Sequence, residues 1–366
     1  MRKAPVVALG AVMALLALSL GTLVSRAGEE ASQDRLAEEA ARASALLQSH
    51  TETQGFWAET RQASQPVLAR AEKDLRAGRR LVAMQRLAAV KASLAAASYL
   101  ERSAAQGKDV ATFEAEWARM GGVLRAGLGK PSPTAFDGVG PAAVRALAEG
   151  TMPQVRLYYE SSLEYGRASM PGDGLYYLAT AQARQEAVAL YRELATRVER
   201  RPPPLRALTP ELDGLEADLL KAYRPPASID RHGEFIGASA ALKEARELDA
   251  AGLRHGALLK YLQAAQRIAP LSSDPPALDG EALAARLAEF DRRLATGETD
   301  HSLGRLFLET AQADLADAEP GTVPPSAVWI ASDVLPRYFA AMEPARPVEP
   351  KPAPQVTVTL VRWPYT

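Results

Sequence analysis

The chain reads as an all-α protein, and three observations say so. Alanine, the strongest helix former, supplies 72 of the 366 residues. Apolar residues recur at three- and four-residue spacing through most of the body. The period-two alternation of a strand is confined to one stretch near the C-terminus. The length gives about two domains' worth of core. Lys and Arg total 43 against 44 Asp and Glu, which removes a bulk electrostatic case for nucleic acid. The absence of cysteine excludes disulfides, thiol nucleophiles, iron–sulfur clusters and thiolate zinc sites.

The N-terminus carries an export signature. Met1-Arg2-Lys3 is basic, residues 4–25 carry no charge, and Ser25-Arg26-Ala27 sets small residues where a leader peptidase cuts. Residues 1–27 are therefore expected to be a signal peptide or, uncleaved, an N-terminal membrane anchor. Basic residues before the apolar stretch and Glu29-Glu30 after it place the body outside the cytoplasm in both cases. The expected location is the periplasm or cell surface. Membrane contact is expected through residues 4–25 only.

The elements follow in order. Glu29 to Ser49 is a predicted helix, with Leu36, Ala40, Ala43, Leu46 and Leu47 at helical spacing. Gln54 to Ser64 is a short helix carrying Phe56 and Trp57, and Pro66 opens the next, as proline can in a first turn. That helix meets Gly78, and Arg79 to Arg102 is long and alanine-rich. Asp109 caps a helix with Val110, Phe113, Trp117, Met120 and Leu124 on one face. Lys130 to Pro141 is a loop by composition, which closes an N-terminal helical region of residues 28–130.

A central region, 141–200, follows. Pro141 to Gly150 and Met152 to Tyr165 are predicted helices, Pro171-Gly172-Asp173-Gly174 a turn, and Leu175 to Arg200 a long helix. Proline-rich Arg201 to Pro210 is a stiff spacer. The C-terminal helical region, 211–343, holds Glu211 to Ala222, then Ala238 to Ala251 and Leu253 to Ile268 paired around Gly252. Gly280 to Ala295, Ser302 to Ala318 and Pro325 to Met342 complete it. Residues 344–366 are a proline-rich linker and a lone strand, Gln355 to Tyr365. This strand either adds to a partner's sheet or packs at home through Val358, Leu360 and Trp363. The short connections predict antiparallel helical hairpins.

Two hairpins share a spacing. Gly78 is followed by Ala83, Leu87 and Val90, and Gly252 by Ala257, Tyr261 and Ala264. Ala71 and Ala245 stand the same distance before each glycine. The glycine permits a tight turn, the alanine a close helix crossing, and the large residue fills a neighbouring groove. This pattern resembles the tetratricopeptide repeat over two short stretches far apart in the chain. The resemblance implies a tetratricopeptide-like superhelix (an α-solenoid) whose concave surface binds a peptide or protein partner. An unrelated helical array remains the alternative.

Signals for catalysis are sparse. Gly127 to Ser132 lacks the leading glycine and the Ser/Thr of a phosphate loop. Ser239 sits in a helical pattern rather than on a strand-to-helix elbow. His50, His232, His255 and His301 are scattered, so no metal site and no cofactor are expected. Glu160 and Glu164, four apart on one helix face, are an acid–base pair only if the protein is a helical cell-wall hydrolase. The unusual feature is aromatic. Tyr158, Tyr159, Tyr165, Tyr176 and Tyr177 flank one connection, with Arg156, Glu160 and Arg167 nearby. They form either packing between antiparallel helices or a binding face for a peptide, glycan or small ligand. The sequence therefore points to a non-enzymatic, exported interaction scaffold. A glycan- or ligand-binding protein using the tyrosines is the alternative.

Overall fold

The computed structural model describes residues 35–128, 142–194 apart from 169, and 200–343 apart from 202, 204, 226 and 227. The expected export segment and the expected C-terminal linker and strand, with Val358, Leu360 and Trp363, lie outside the described residues. The regular elements among the described residues are all helices, and no helix among them is long and apolar enough to cross a membrane.

Helix α1 spans 35–49, and its Leu36, Ala40, Ala43 and Leu47 face the core while Leu46 faces solvent. Helices α2 (Phe56–Arg76) and α3 (Arg80–Ser103) form the first hairpin. Pro66 does not open a new helix but lies inside α2. An interior proline costs roughly 3 kcal/mol. The buried stripe Trp57, Ser64, Leu68, Ala71 and Leu75 runs straight past it, and that shared burial keeps the two halves in register. Helix α4 (Val110–Leu128) starts where the Asp109 carboxylate accepts from the Thr112 amide at 2.8 Å.

The break expected near residue 151 is likewise absent. Helix α5 (Ala142–Arg167) runs through Pro153, and its buried face continues from Val144 and Leu147 to Val155 and Ser162. Helix α6 (Pro171–Leu194) begins four residues earlier than the sequence reading, because the expected turn 171–174 is its first turn. The reason is contact. A Cβ on Gly174 would stand 2.6 Å from the Phe113 ring and 2.8 Å from the Gly166 backbone, so both glycines serve a close α5–α6 approach.

The proline-rich segment after α6 is packed rather than free. The Arg201 amide donates to the Glu298 carbonyl and the Asp300 amide to the Arg201 carbonyl, both at 2.8 Å, while Leu208 is buried. Then follow α7 (Thr209–Ala222), α8 (His232–Ala250), α9 (Arg254–Ser272), α10 (Gly280–Ala295) and α11 (Ser302–Asp317). Helix α8 begins before the expected Ala238, since Phe235 is buried and draws the preceding turn into the helix. Helix α9 carries Pro270 within its last turn. Helix α12 (Pro325–Trp329) passes through a π-turn (Ile330–Val334) into α13 (Leu335–Met342). Pro336 has no amide for the carbonyl one turn earlier, and a π-turn absorbs that misfit.

Six helices lie side by side in the order α2, α3, α6, α5, α9, α8, with α11 packed on both α3 and α5. One apolar core reaches from Leu36 to Ala341, and a smaller one surrounds Phe113, Met120 and Leu178.

Candidate functional site

The α3–α6–α5–α9 row leaves a groove on one face. Its floor is made of small side chains. On α3, Ala88, Ala89, Ala92, Ala96 and Ala97 recur at three- and four-residue spacing, and on α6 Ala183 and Ala187 face them. Methyl groups on adjoining helices leave a trench where larger side chains would interdigitate.

One end of the trench is polar. There a cavity of about 610 Å³ is lined by Gln85 of α3, Thr151 and Gln154 of α5, Arg184 and Tyr191 of α6, and Lys260, Gln263, Gln266 and Arg267 of α9. Its base lies where α5 crosses α9. A Cβ on Gly256 would stand 2.6 Å from the Glu149 Cβ and 2.9 Å from the Gly150 nitrogen. The other end is apolar. There a cavity of about 370 Å³ lies between Phe56, Leu100 and Tyr176, with Glu59, Thr60 and Ser93 on its rim. Phe56 and Tyr176 are 52% and 55% exposed. Arg184 and Ala89 line both cavities, so the two join into one groove.

The charges in the groove are unevenly matched. Lys260 Nζ pairs with Glu244 of α8 at 2.5 Å. Arg267 donates to the Gly237 carbonyl at 3.2 Å and has no carboxylate partner among the described residues. Arg184 makes no hydrogen bond or ion pair with another described residue. Tyr191 is only 5% exposed, and burial pushes its phenol upward, with Arg184 opposing in part. Its hydroxyl has no hydrogen-bond partner among the described residues. Behind the cavity, burial and the neighbouring Arg145 push His255 down to about 3, so its ring is neutral at physiological pH.

Four of the five tyrosines come together around Tyr177, which Tyr176 meets edge-on at 6.2 Å. Tyr165 stacks on Tyr177 with centroids 4.5 Å apart, and Tyr158 lies 6.0 Å from Tyr177. Tyr159 points elsewhere. It stacks on Trp117 at 4.7 Å and accepts the indole N–H on its carbonyl at 3.1 Å, which fastens α4 to α5. The physical reason is helical pitch, since adjacent residues project about 100° apart. Tyr176 alone reaches the groove. Arg156 pairs with Glu160 at 2.7 Å on an exposed face, and Arg167 with Glu114 at 2.6 Å. Glu160 is thus an arginine's partner in a solvated i,i+4 pair.

The repeat residues are interior apart from the two exposed turn glycines. Gly78 and Gly252 share φ +76, and Ala83, Leu87, Ala257 and Tyr261 are buried. No group of three His, Asp or Glu among the described residues is arranged to hold a metal. Sequence reasoning missed Gln85, Arg184, Tyr191, Gln263 and Arg267. The signal that could have found them was a helix face of alanine interrupted by amides and one arginine, on α3 and on α6. No protein-family model, curated protein or solved structure matches this chain.

Proposed function

We propose that the protein is a non-catalytic interaction scaffold, exported by its N-terminal segment, that seats a segment of a partner protein in the groove between α3 and α6. The groove itself carries this reading: a trench floored by alanine, walled by amides and cations, and holding an arginine, Arg184, without a partner among the described residues. Amides and a guanidinium group set on a methyl-floored trench suit the recognition of a ligand. The recurring Gly78 and Gly252 hairpins fit a tetratricopeptide-like helical array, an architecture that presents grooves of this type. Tyr165 and Tyr177 cover each other's ring faces, so of the five tyrosines only Tyr176 is assigned to the binding surface.

A photo-reactive amino acid placed in the full chain tests this in the cell that makes it. Substitution at Ser93 in the apolar half and at Gln263 in the polar half is expected to cross-link one and the same protein. Substitution at exposed Leu220 on α7 is expected not to. Equal labelling from all three positions, or none from the groove, would overturn the reading.

A further inference from the structure

Given the groove as the binding surface, we infer that its occupant is an extended peptide with an acidic side chain seated on Arg184 and apolar side chains filling the alanine-floored half. This inference rests on the preceding reading and adds the chemistry of the ligand. Length comes first. The groove follows α3 from Gln85 to Leu100 and α6 from Tyr176 to Tyr191. At a rise of 1.5 Å per residue that is about 22 Å, the span of roughly seven residues of extended chain.

Charge comes next. Three cations line the polar half, and the one carboxylate bound to them, Glu244, is taken by Lys260. Arg184 stands midway along the groove with its guanidinium unmatched among the described residues. A planar, always-charged fork in a concave site selects a carboxylate. Beside it, Tyr191 lines the same cavity and brings a phenol hydroxyl within reach of a ligand.

The amides set the form of the ligand. A glutamine side chain both donates and accepts, as does each peptide unit of an extended backbone. Gln85, Gln154, Gln263 and Gln266 on three helices supply such groups along the polar half. The apolar half, between Phe56 and Tyr176, takes side chains that a sugar chain does not have. That favours a peptide over an acidic glycan, whose rings would stack on Phe56 and Tyr176 but carry no side chains to fill the methyl-floored trench between them.

The test is a positional-scanning heptapeptide library bound to the full chain. It is run beside Arg184→Gln and Ala96→Trp, each first shown to melt with the wild type, and beside an oligogalacturonate as the acidic glycan. The expected result for the wild type is selection of Asp or Glu at one position, with apolar residues to one side of it. Arg184→Gln is expected to lose the acidic preference and bind about tenfold more weakly or worse, while keeping the apolar preference. Ala96→Trp, which fills the trench, is expected to do the reverse. Because the two variants act on separate halves, failure of one to fold leaves the other decisive. Peptide binding with no acidic preference, or with one that survives Arg184→Gln, would overturn the inference and leave the scaffold standing. Binding of the oligogalacturonate with no peptide selected would overturn both.

Discussion

The hairpins α2–α3 and α8–α9 turn on the same backbone and are closed by the same device, yet different neighbours hold them. In the first, the Gly78 amide donates to the Leu75 carbonyl at 3.1 Å and the Arg79 amide to the Asp74 carbonyl at 2.9 Å. In the second, Gly252 donates to Asp249 at 3.1 Å and Leu253 to Leu248 at 2.9 Å. Both are glycine-terminated helix ends of the Schellman type. The second helix of each then offers free amides to a buried glutamate from elsewhere. Glu309 of α11 accepts from Leu81 and Val82 at 2.8 and 3.1 Å, and Glu149 of α5 accepts from Gly256 at 2.7 Å.

The difference lies behind the carboxylates. Arg145, one turn before Glu149, binds it at 2.8 Å. Arg305, one turn before Glu309, turns instead to Asp291 at 2.7 Å. Glu309 therefore has only two amides and a more distant arginine against burial, and burial pushes its carboxyl up to about 7. The backbone approach differs too. Val82 stands in the first hairpin where the second has Gly256, because α5 crosses α9 at backbone contact. One capping design thus yields a latch whose carboxyl is raised by burial in one place and an arginine-bound latch in the other.

The comparison can be broken most forcefully at the crossing. Gly256→Val drives a side chain into the Glu149 backbone and is expected to destabilise the protein by about 3 kcal/mol in urea unfolding. A loss as small as a surface substitution would mean that the close α5–α9 crossing is not required.

Next comes proton linkage at the latch. Folded Glu309 keeps its proton up to about pH 7, whereas the unfolded chain releases it near 4.5. The folded state binds more protons in that window, so this stabilisation is complete below the unfolded value and is lost as pH rises through 7. Between about pH 5 and about pH 8, wild type is expected to lose about 2 kcal/mol relative to Glu309→Gln. Parallel pH profiles for the two proteins would remove the titratable latch.

His255 on the second hairpin supplies a term of opposite sign. It stays neutral in the fold down to about 3, while the unfolded ring takes a proton near 6.5. Stability from this group is present above 6.5 and falls as pH drops below it. His255→Gln is expected to flatten the acid side of the stability profile by about 2 kcal/mol near pH 5, and to leave the neutral side as it was. The smallest effect is the most symmetrical. Gly78→Ala and Gly252→Ala, at matched φ and open space, are each expected to cost about 1 kcal/mol. A clear inequality between them would show that the two turns are not equivalent.

How much of this was legible depends on range. Gly78, Gly252, the Asp109 cap and the helix starts at Gly280 and Ser302 are local events, fixed by residues within one turn, and the sequence shows them. Pro66, Pro153 and the stretch Pro171 to Gly174 misled because local breaking signals were overridden by distant burial. Trp57 and Leu68 share one buried stripe past Pro66, and Phe113 presses on Gly166 and Gly174. The tyrosines were read as one group from their nearness in sequence. Helical pitch sent Tyr159 to Trp117, while Tyr158, Tyr165 and Tyr176 stay gathered on Tyr177 and Tyr176 also borders the groove.

The sequence by itself determined an all-helical protein built from hairpins, since alanine content and apolar spacing act within a single helix. Only the tertiary structure decided that α3 lies beside α6 and α5 beside α9, and that placement makes the groove. Gln85, Arg184 and Gln263 come from three separate helices and are meaningless as a group until packing brings them together. An alanine face by itself says only that something passes close by. Whether it becomes a sealed crossing or an open trench is settled by which helix stands opposite and how large that helix's side chains are.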